Sequence, residues 1–461
     1  MRIRTMPDQV SQAQWFQLAI GRMQKFCQKL PVMQMAFMLF CFLAPFPALA
    51  EGITAGEELT LQRAIDIALK NQPSILASRS TVRANEARVG QAKANFYPQL
   101  SASGAYIKTS PAASSVRSLD TSTTSKNGAY DQYATSVVLN QMVFDFGKTP
   151  TQVSINNLNT ESSRFDLINT QDVVILNVKQ AYYNVLQAQR NRDIARESVK
   201  QFQEHLDQAR GFFRVGTKSK IDVTKAEVDL SNAQLNLIKA ENQVRLSLVT
   251  LNNAMGVPDV PQYTLQDSLS YTKYDLSLEE ATSKAYNQRP DLQSLIKKKE
   301  SAKASIDLAR KGYFPVLSAA ANYIYTGTNF PLSEGWNYGL TLSFPIFSGF
   351  QTSYQVAEAQ ANYDTVSANE QSLRLDIYSQ IQQAYLSLRQ AEESISTSEL
   401  TVRQAKENVE LATGRYRAGV ESPLVVTDAL VGLNNARVAY TQALTDYKNS
   451  QSSIEKAIGV K

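Results

Sequence analysis

The stretch "NFYPQLSA" at residues 95–102 decides the fold, because it joins a polar, alanine-rich helical pattern to an alternating pattern with a proline between them. A near-copy, "GYFPVLSA", occupies residues 312–319, which is 217 positions later. Proline has no N–H and biases the residue before it toward extended backbone, so each copy is predicted to end a helix and begin a strand. A chain that contains this joint twice is predicted to repeat one structural plan.

The repetition extends well beyond the joint. "LTLQRAIDIALKNQP" (59–73) matches "LSLEEATSKAYNQRP" (276–290) at the same offset. Further along, where the offset has become 203, "FRVGTKSKIDV" (213–223) matches "YRAGVESPLVV" (416–426). Repetition of this kind fixes the architecture of a chain. The predicted regions are a signal peptide at 1–50, a first structural repeat at 51–256, an inter-repeat linker at 257–275 and a second structural repeat at 276–461.

Each repeat shows the same order of patterns: a helical run, two alternating segments, a very long helix, a turn and a returning helix. The predicted helical bounds are 60–95, 148–213 and 220–254 in the first repeat and 277–312, 351–416 and 423–457 in the second. At 1.5 Å per residue, each long helix would measure on the order of 100 Å. Such helices must bury their apolar stripes, so we predict antiparallel pairs. An intermolecular coiled coil would explain the helices but not the alternating segments.

The four alternating segments are each about ten residues long, which is the length that a tilted strand needs to cross a bilayer. In "GWNYGLTLSF" (335–344), aromatic and aliphatic residues occupy one face, and small or polar residues occupy the other. This alternation is typical of a strand with lipid on one side and a lumen on the other. A soluble sheet with aromatic cross-strand pairs is the alternative.

Aromatic residues cluster at both ends of these segments. Those predicted to lie at the membrane interfaces are Phe96, Tyr97, Tyr313, Phe314, Trp336 and Tyr338. Two aromatic girdles suit the two interfaces of a bilayer. Four strands cannot close a barrel around a lumen, and an open sheet edge in lipid leaves backbone groups unpaired. Several chains are therefore predicted to share one barrel.

The first 50 residues differ from the rest of the chain. Arg22, Lys25 and Lys29 precede an apolar run that exits through small residues at Ala50, which is typical of a secretory signal peptide. A transmembrane anchor is the alternative, but the run is shorter than the ~20 residues that a spanning helix needs. Removing this segment takes away both cysteines, five of the 47 basic and one of the 42 acidic residues, which leaves a net charge of +1. Nucleic-acid binding is therefore not expected.

Enzyme motifs are incomplete in this sequence. "DFGKT" (145–149) contains a kinase-like triplet, but no companion catalytic loop accompanies it. It also ends like a phosphate-binding loop, yet Met142 stands where that loop needs glycine. The single histidine, His205, has no cysteine or second histidine with which to bind zinc. We predict no catalytic residue, metal or cofactor.

Taken in order, these repeated motifs resemble the TolC family of outer-membrane channel proteins of Gram-negative bacteria, over residues 59–459. The joints, the tip turns, and "FDFG" (144–147) with "FSGF" (347–350) carry the resemblance. It implies a mainly α chain with a membrane β-barrel part. In the implied homotrimer, each chain gives four transmembrane strands to a shared twelve-stranded barrel, and the long antiparallel helices form a periplasmic α-barrel.

The resemblance implies a location in the outer membrane and an exit duct for small-molecule efflux, type I protein secretion or both. The implied partners are a periplasmic adaptor protein and an inner-membrane pump of the ABC or RND type. A passive outer-membrane pore, an adhesin and a periplasmic coiled-coil scaffold are the alternatives.

The resemblance also implies where the functional residues lie, namely at the tips of the helical hairpins. The tip residues implied to contact the adaptor are Arg214, Val215, Gly216, Thr217, Ala418, Gly419 and Val420. Asp428 matches one of two acids that form a cation-binding constriction in the family pattern, whereas Val425 stands at the position of the other. Gly216 and Gly419 also suit turns with positive φ.

The latch of the closed tip differs from the family pattern. Glu421 stands where a basic residue is expected to pair with Asp222, and two acids cannot form that salt bridge. The basic residues that could replace the latch are Arg214, Lys218, Lys220 and Arg417. Asp222 also suits a capping box with Ser219 at the start of the returning helix.

Overall fold

The computed structural model describes residues 53–54, 56–110, 129–259 and 261–460. The predicted signal peptide at 1–50 lies outside the described residues. The chain divides into two compact units, Met1–Thr54 and Ala55–Lys461, and the helices and strands below all belong to the second.

The described residues are mostly helical, and both halves of the unit follow one order of elements. The helices are α1 Leu61–Asn71, α2 Pro73–Lys93, α3 Lys148–Arg214, α4 Lys220–Met255, α5 Leu278–Gln288, α6 Pro290–Arg310, α7 Gln351–Arg417 and α8 Pro423–Ala457. The strands are β1 Glu58–Leu59, β2 Gln99–Thr109, β3 Tyr130–Phe144, β4 Thr264–Leu265, β5 Val316–Gly327 and β6 Ser333–Ser343. Among the described residues, no helix combines the length and the apolar content that crossing a bilayer requires.

The first helical run of each repeat is two helices, so the prediction of one continuous run was wrong. Gln72 has φ −63° and ψ 122°, and Arg289 has φ −63° and ψ 123°. Both residues precede a proline, Pro73 or Pro290, whose ring disfavours helical backbone in the residue before it. The proline then occupies the first turn of α2 or α6, where its missing N–H costs nothing.

The long helices α3 and α7 contain 67 residues each, and their predicted bounds are confirmed to within one residue. Each follows a left-handed residue, Gly147 at φ 84° or Phe350 at φ 66°. Before α3, the buried Asp145 carboxylate accepts hydrogen bonds from the N–H groups of Gly147 (3.0 Å) and Thr149 (2.6 Å). These bonds satisfy N–H groups that have no partner within the helix.

Strands β2, β3, β5 and β6 form one antiparallel sheet in that order. The register places Val137 of β3 opposite Tyr323 of β5, and Tyr323 opposite Trp336 of β6. On the other face, Ser103 of β2 hydrogen-bonds Ser136 of β3 at 2.9 Å. Alternation therefore gives the sheet one face rich in aromatic and aliphatic side chains and one face of small and polar side chains.

Helix α3 is the centre of the helical packing. It contacts α2 and α6 toward the sheet and contacts α4 and α8 toward the hairpin turns. Helix α7 packs on α6 and α8. The helices thus lie in the order α2–α3–α6–α7 near the sheet and α4–α3–α8–α7 near the turns. Helix α7 therefore forms one flank of the described unit, and α2 and then α4 form the other.

Short strands and buried polar groups fasten the middle of the helices. Strand β4, within the predicted linker at 257–275, pairs in parallel with β1. The hydroxyl of Tyr182 lies 2.9 Å from the carbonyl oxygen of Leu59 and 2.7 Å from that of Gln266, so its single proton can bond either carbonyl and α3 contacts β1 and the residue that follows β4. A tyrosine that buries its ring and still satisfies its hydroxyl stabilises such a junction.

Arg289 forms a second junction, between α6, α7 and α8. Its side chain is 2% exposed and pairs with Asp291 at 2.6 Å. It also donates to Gln380 of α7 (2.9 Å) and to the carbonyl of Ala457 at the end of α8 (3.4 Å). Burial opposes the ionisation of Asp291, but the guanidinium outweighs it and holds the pKa of that carboxyl below its usual value.

Two equivalent glycines follow the returning helices α4 and α8 and contact the backbone at the breaks before Pro73 and Pro290. Gly256 has φ 72°, and a Cβ there would lie 3.1 Å from backbone atoms of Asn71 and Gln72. Gly459 has φ 74°, and a Cβ there would lie 3.1 Å from backbone atoms of Gln288 and Arg289. The duplicated plan therefore extends to individual backbone contacts.

Candidate functional site at the helix tips

Both hairpin tips end their long helix in the same way. After α3, Gly216 has φ 77° and donates its N–H to Phe213, while Thr217 donates to Phe212, each at 3.0 Å. After α7, Gly419 also has φ 77° and donates to Tyr416 at 3.0 Å, while Val420 donates to the carbonyl of Arg415 at 3.1 Å. This glycine-terminated arrangement satisfies the last carbonyls of a helix. It holds the tip residues that the sequence indicated, 214–217 and 417–420, as two exposed turns.

Lys218 connects the two tips. Its ammonium group lies 3.4 Å from the backbone carbonyl of Glu421, in the opposite turn. The same group lies 5.5 Å from the ring centroid of Tyr416, a distance at which a cation and an aromatic face attract each other. Among the four basic residues considered as replacements for the latch, Lys218 is the one for which the described residues show a contact between the tips.

Glu421 has a partner that the sequence did not indicate. Its carboxylate lies 3.1 Å from the guanidinium of Arg415, on the helix that leads into the same turn. The Arg415 side chain is 65% exposed, so this pair adds little stability on its own. Its consequence is electrostatic, because the negative charge of Glu421 is compensated within its own tip.

Asp222 serves the start of α4. Its carboxylate accepts hydrogen bonds from the N–H (3.1 Å) and the hydroxyl (3.2 Å) of Ser219. It also lies in the first turn of α4, where a negative charge is favoured by the helix dipole. These contacts support a structural role for Asp222, as the capping pattern indicated.

Asp428 differs from both of these acids. It lies on the exposed face of α8, beyond the first turn, and makes no hydrogen bond or ion pair with any described residue. Leu424 and Val425 lie one turn before it on the same exposed face. Asp428 is therefore an uncompensated negative charge on an otherwise apolar stretch of the helix.

The two hairpins meet behind the tips in a buried cluster, called the tip cluster below. It contains Phe202, Leu206, Ala209, Val223, Ala226, Leu230, Ala233, Ala412, Tyr416, Val426, Ala429 and Leu430. His205 packs beside it, with its ring centroid 5.3 Å from that of Tyr416. Burial lowers the pKa of His205 below its usual value, while the charge of Asp229 opposes this shift and that of Lys225 reinforces it.

Four of the predicted interface aromatics lie at one end of the sheet, whereas Trp336 lies three residues into β6 and Tyr338 lies at the centre of that strand. Phe96, Tyr97, Tyr313 and Phe314 are exposed at the joints between helices and strands. Trp336 and Tyr338 stack on one face of β6 with ring centroids 5.9 Å apart, and they are 69% and 77% exposed. Within the described ranges, no group of three or more histidine, cysteine or acidic residues is placed to hold a metal ion.

Comparison with known proteins agrees with this architecture. Residues 64–257 and 281–460 match the family model described as outer membrane efflux protein. The probable efflux pump outer membrane protein TtgC of Pseudomonas putida is 22% identical over 416 residues, which cover 87% of this chain and 82% of that protein. The outer membrane protein TolC of Escherichia coli is 22% identical over 306 residues, which cover 63% of this chain and 62% of TolC.

Solved structures share the fold. The CmeC outer membrane channel of Campylobacter jejuni superimposes with a TM-score of 0.75 at 20% identity, covering 87% of this chain and 85% of CmeC. The MtrE outer membrane channel of Neisseria gonorrhoeae, in its open state, gives 0.71 at 17% identity, covering 87% and 89%. These similarities confirm the TolC-like fold and the outer-membrane location. The matched residues span most of the chain, and the protein is therefore a member of the outer membrane efflux protein family.

Proposed function

We propose that three copies of this chain form an outer-membrane exit duct that spans the periplasm. The duct exports small molecules, proteins or both, together with a periplasmic adaptor protein and an inner-membrane pump of the ABC or RND type. The observation that carries the proposal is a four-stranded sheet with one apolar face, one polar face and two strands, β2 and β6, that have no outer partner among the described residues.

Lipid makes the free sheet edges costly. Each backbone group left unpaired in hydrocarbon costs several kcal/mol, so an edge strand of about ten residues cannot remain open there. Pairing β6 of one copy with β2 of the next removes both edges, and three copies close a barrel of twelve strands. In such a barrel the apolar face meets lipid, and the small and polar face lines a lumen.

The flanking helices support the same assembly. Helices α4 and α7 each expose a row of large apolar side chains to solvent in the single chain. These are Val228, Leu235, Ile238, Leu246 and Val249 on α4 and Leu375, Leu386, Leu400 and Leu411 on α7. Packing α7 of one copy against α4 of the next would bury both rows, and three copies would continue the barrel as a helical tube.

The hairpin tips are proposed to be the entrance of this tube and the surface that meets the adaptor. The two repeats, 51–256 and 276–461, would each supply one tip. In a threefold assembly three copies of Asp428 would face one another and form a ring of negative charge. Glu421 and Asp222 contribute less to such a ring, since Arg415 compensates the first and Ser219 engages the second. We therefore propose Asp428 as the cation-binding acid of the entrance, with Arg417 an exposed neighbour at the tip.

A pair of substitutions at adjacent residues of β6 tests the barrel. Leu340 lies on the apolar face and Thr341 lies on the polar face, and both are exposed in the single chain. Leu340→Arg should reduce the amount of protein in the outer membrane and abolish efflux of a fluorescent pump substrate, because arginine facing the middle of the bilayer costs about 2–4 kcal/mol. Thr341→Arg is the matched control and should retain insertion, because its side chain meets water in the lumen. Equal tolerance of both substitutions would refute the assignment of the faces.

A further inference from the structure

An ionisable side chain is buried where the two helical hairpins meet. Hairpin A consists of α3 and α4, and hairpin B consists of α7 and α8. His205 of hairpin A is 4% exposed, and its ring lies against Tyr416 of hairpin B, which is completely buried. His205 is the single histidine of the sequence. Its position within the contact means that a change in its charge acts on the association of the two hairpins.

The surroundings of His205 suit a neutral ring better than a charged one. Neither Nδ1 of His205 nor the hydroxyl of Tyr416 makes a hydrogen bond with a described residue. Asp229 could stabilise a positive charge, but its carboxylate already accepts a hydrogen bond from Thr427 (3.0 Å) and lies 3.9 Å from the ammonium of Lys225. The titratable and charged groups near the contact are Asp222, Lys225 and Asp229 of α4, Tyr416 of α7 and Lys218 of the turn between α3 and α4. Helix α8 contributes the apolar side chains Val426, Ala429 and Leu430 to the tip cluster.

We propose that His205 is an acid-responsive switch whose protonation weakens the contact between hairpins A and B and favours their separation at the tips. The imidazolium would place a charge beside the tip cluster, with one N–H unpartnered and Lys225 nearby. A buried charge without full compensation is strongly disfavoured relative to water. Separation of the hairpins relieves this cost by exposing the ring to solvent.

The sign of the pH effect follows from the burial of the ring. Because burial lowers the pKa of His205, the proton binds more tightly when the ring is in water, where the pKa of histidine is about 6.5. The contact therefore has its full stability above about pH 6.5 and loses stability as the pH falls toward the lowered pKa of the buried ring. Each unit of difference between the two pKa values changes the ratio of separated to closed tips about tenfold. The consequence for conduction rests on the proposed function.

Spin labels on the two tips can measure the separation. Both native cysteines lie in residues 1–50, so Val215→Cys and Val420→Cys would supply the labelling sites in the mature chain, and both positions are exposed. The protein purified from the outer membrane would be placed in nanodiscs, and distances would be recorded at neutral pH and near pH 5. The imidazole resonance of His205 in NMR would report its protonation under the same conditions. We expect longer and broader distances in acid as His205 takes up its proton.

Two variants make the test specific. His205→Phe keeps an aromatic ring in the contact without a titratable group, and it should retain the neutral-pH distances in acid. His205→Gln serves the same purpose if the larger ring prevents folding. The proposal is overturned if either folded variant responds to acid as the parent does, or if His205 becomes protonated without a change in distance. Neither readout requires conduction, so a protein that fails to conduct would contradict the proposed function and leave this result intact.

Discussion

Substitution of Gly256 by alanine tests the close contact between the end of α4 and the backbone at the break between α1 and α2. An L-residue in the left-handed region costs about 1–2 kcal/mol, and Gly256 has φ 72°. The new Cβ would also lie 3.1 Å from the backbone of Asn71 and Gln72. That backbone cannot move freely, because the Gln72 side chain donates to the carbonyls of Asn253 (2.9 Å) and Ala254 (3.0 Å). Overpacking of this kind adds about 1–3 kcal/mol, so Gly256→Ala should cost about 2–5 kcal/mol in total.

Two other glycines allow the cost of the left-handed backbone to be measured without the steric contact of the added Cβ. Gly216 (φ 77°) and Gly56 (φ 81°) have similar backbone, but a Cβ at either position would meet no atom within 4 Å. Alanine at these positions should cost only the strain, about 1–2 kcal/mol. Urea unfolding of the purified protein in detergent, followed by circular dichroism, would compare the three variants. Equal losses in all three would refute the argument from the 3.1 Å contact, and Gly459→Ala should behave like Gly256→Ala.

Two further substitutions test the acids of the entrance and the central junction. Asp428→Asn should raise the divalent-cation concentration that half-blocks single-channel conductance by roughly tenfold, equivalent to about 1.4 kcal/mol. Asp222→Asn is the matched control. Equal effects of the two substitutions would contradict the assignment of Asp428 as the cation-binding acid. Arg289→Met should lower the unfolding free energy at pH 7 by about 3 kcal/mol, because it removes the buried guanidinium and leaves the half-buried Asp291 charged without its partner. Because the pKa of Asp291 is lowered in the folded protein, its ionised form stabilises the fold above about pH 4. The loss of unfolding free energy caused by Arg289→Met should therefore shrink as acid neutralises the carboxylate. Arg415→Met, at an exposed pair, should cost less than about 1 kcal/mol, and a loss as large as that of Arg289→Met would contradict the role of burial.

The elements with strong periodicity and clear end signals could be predicted from the sequence. The bounds of α3 and α7 could be predicted because glycine-containing turns bracket both helices: Gly147 or Gly349 precedes the helix, and Gly216 or Gly419 lies two residues after its last residue. The strands were found from their period of two. The proline breaks were missed because the polar, alanine-rich pattern continues through Gln72 and Arg289, although each precedes a proline and therefore favours extended backbone.

The contacts of the tips needed three-dimensional information. Arg415 and Glu421 are six residues apart, which is not a helical spacing, and only the glycine-terminated turn between them brings the charges together. Lys218 and Glu421 lie 203 residues apart in the sequence. The burial of His205 had a signal that was not used. Phe202 lies three residues before it, and Leu206 and Ala209 lie one and four residues after it, as on the buried face of a helix.

The native mass of the mature protein, extracted in detergent and corrected for bound detergent, tests the central claim most directly. Strands β2 and β6 lack outer partners among the described residues, and α4 and α7 expose rows of apolar side chains. The shared barrel predicts a mass of three chains. A stable single chain would contradict it, because four strands in lipid would then have to leave both edges of the sheet unpaired.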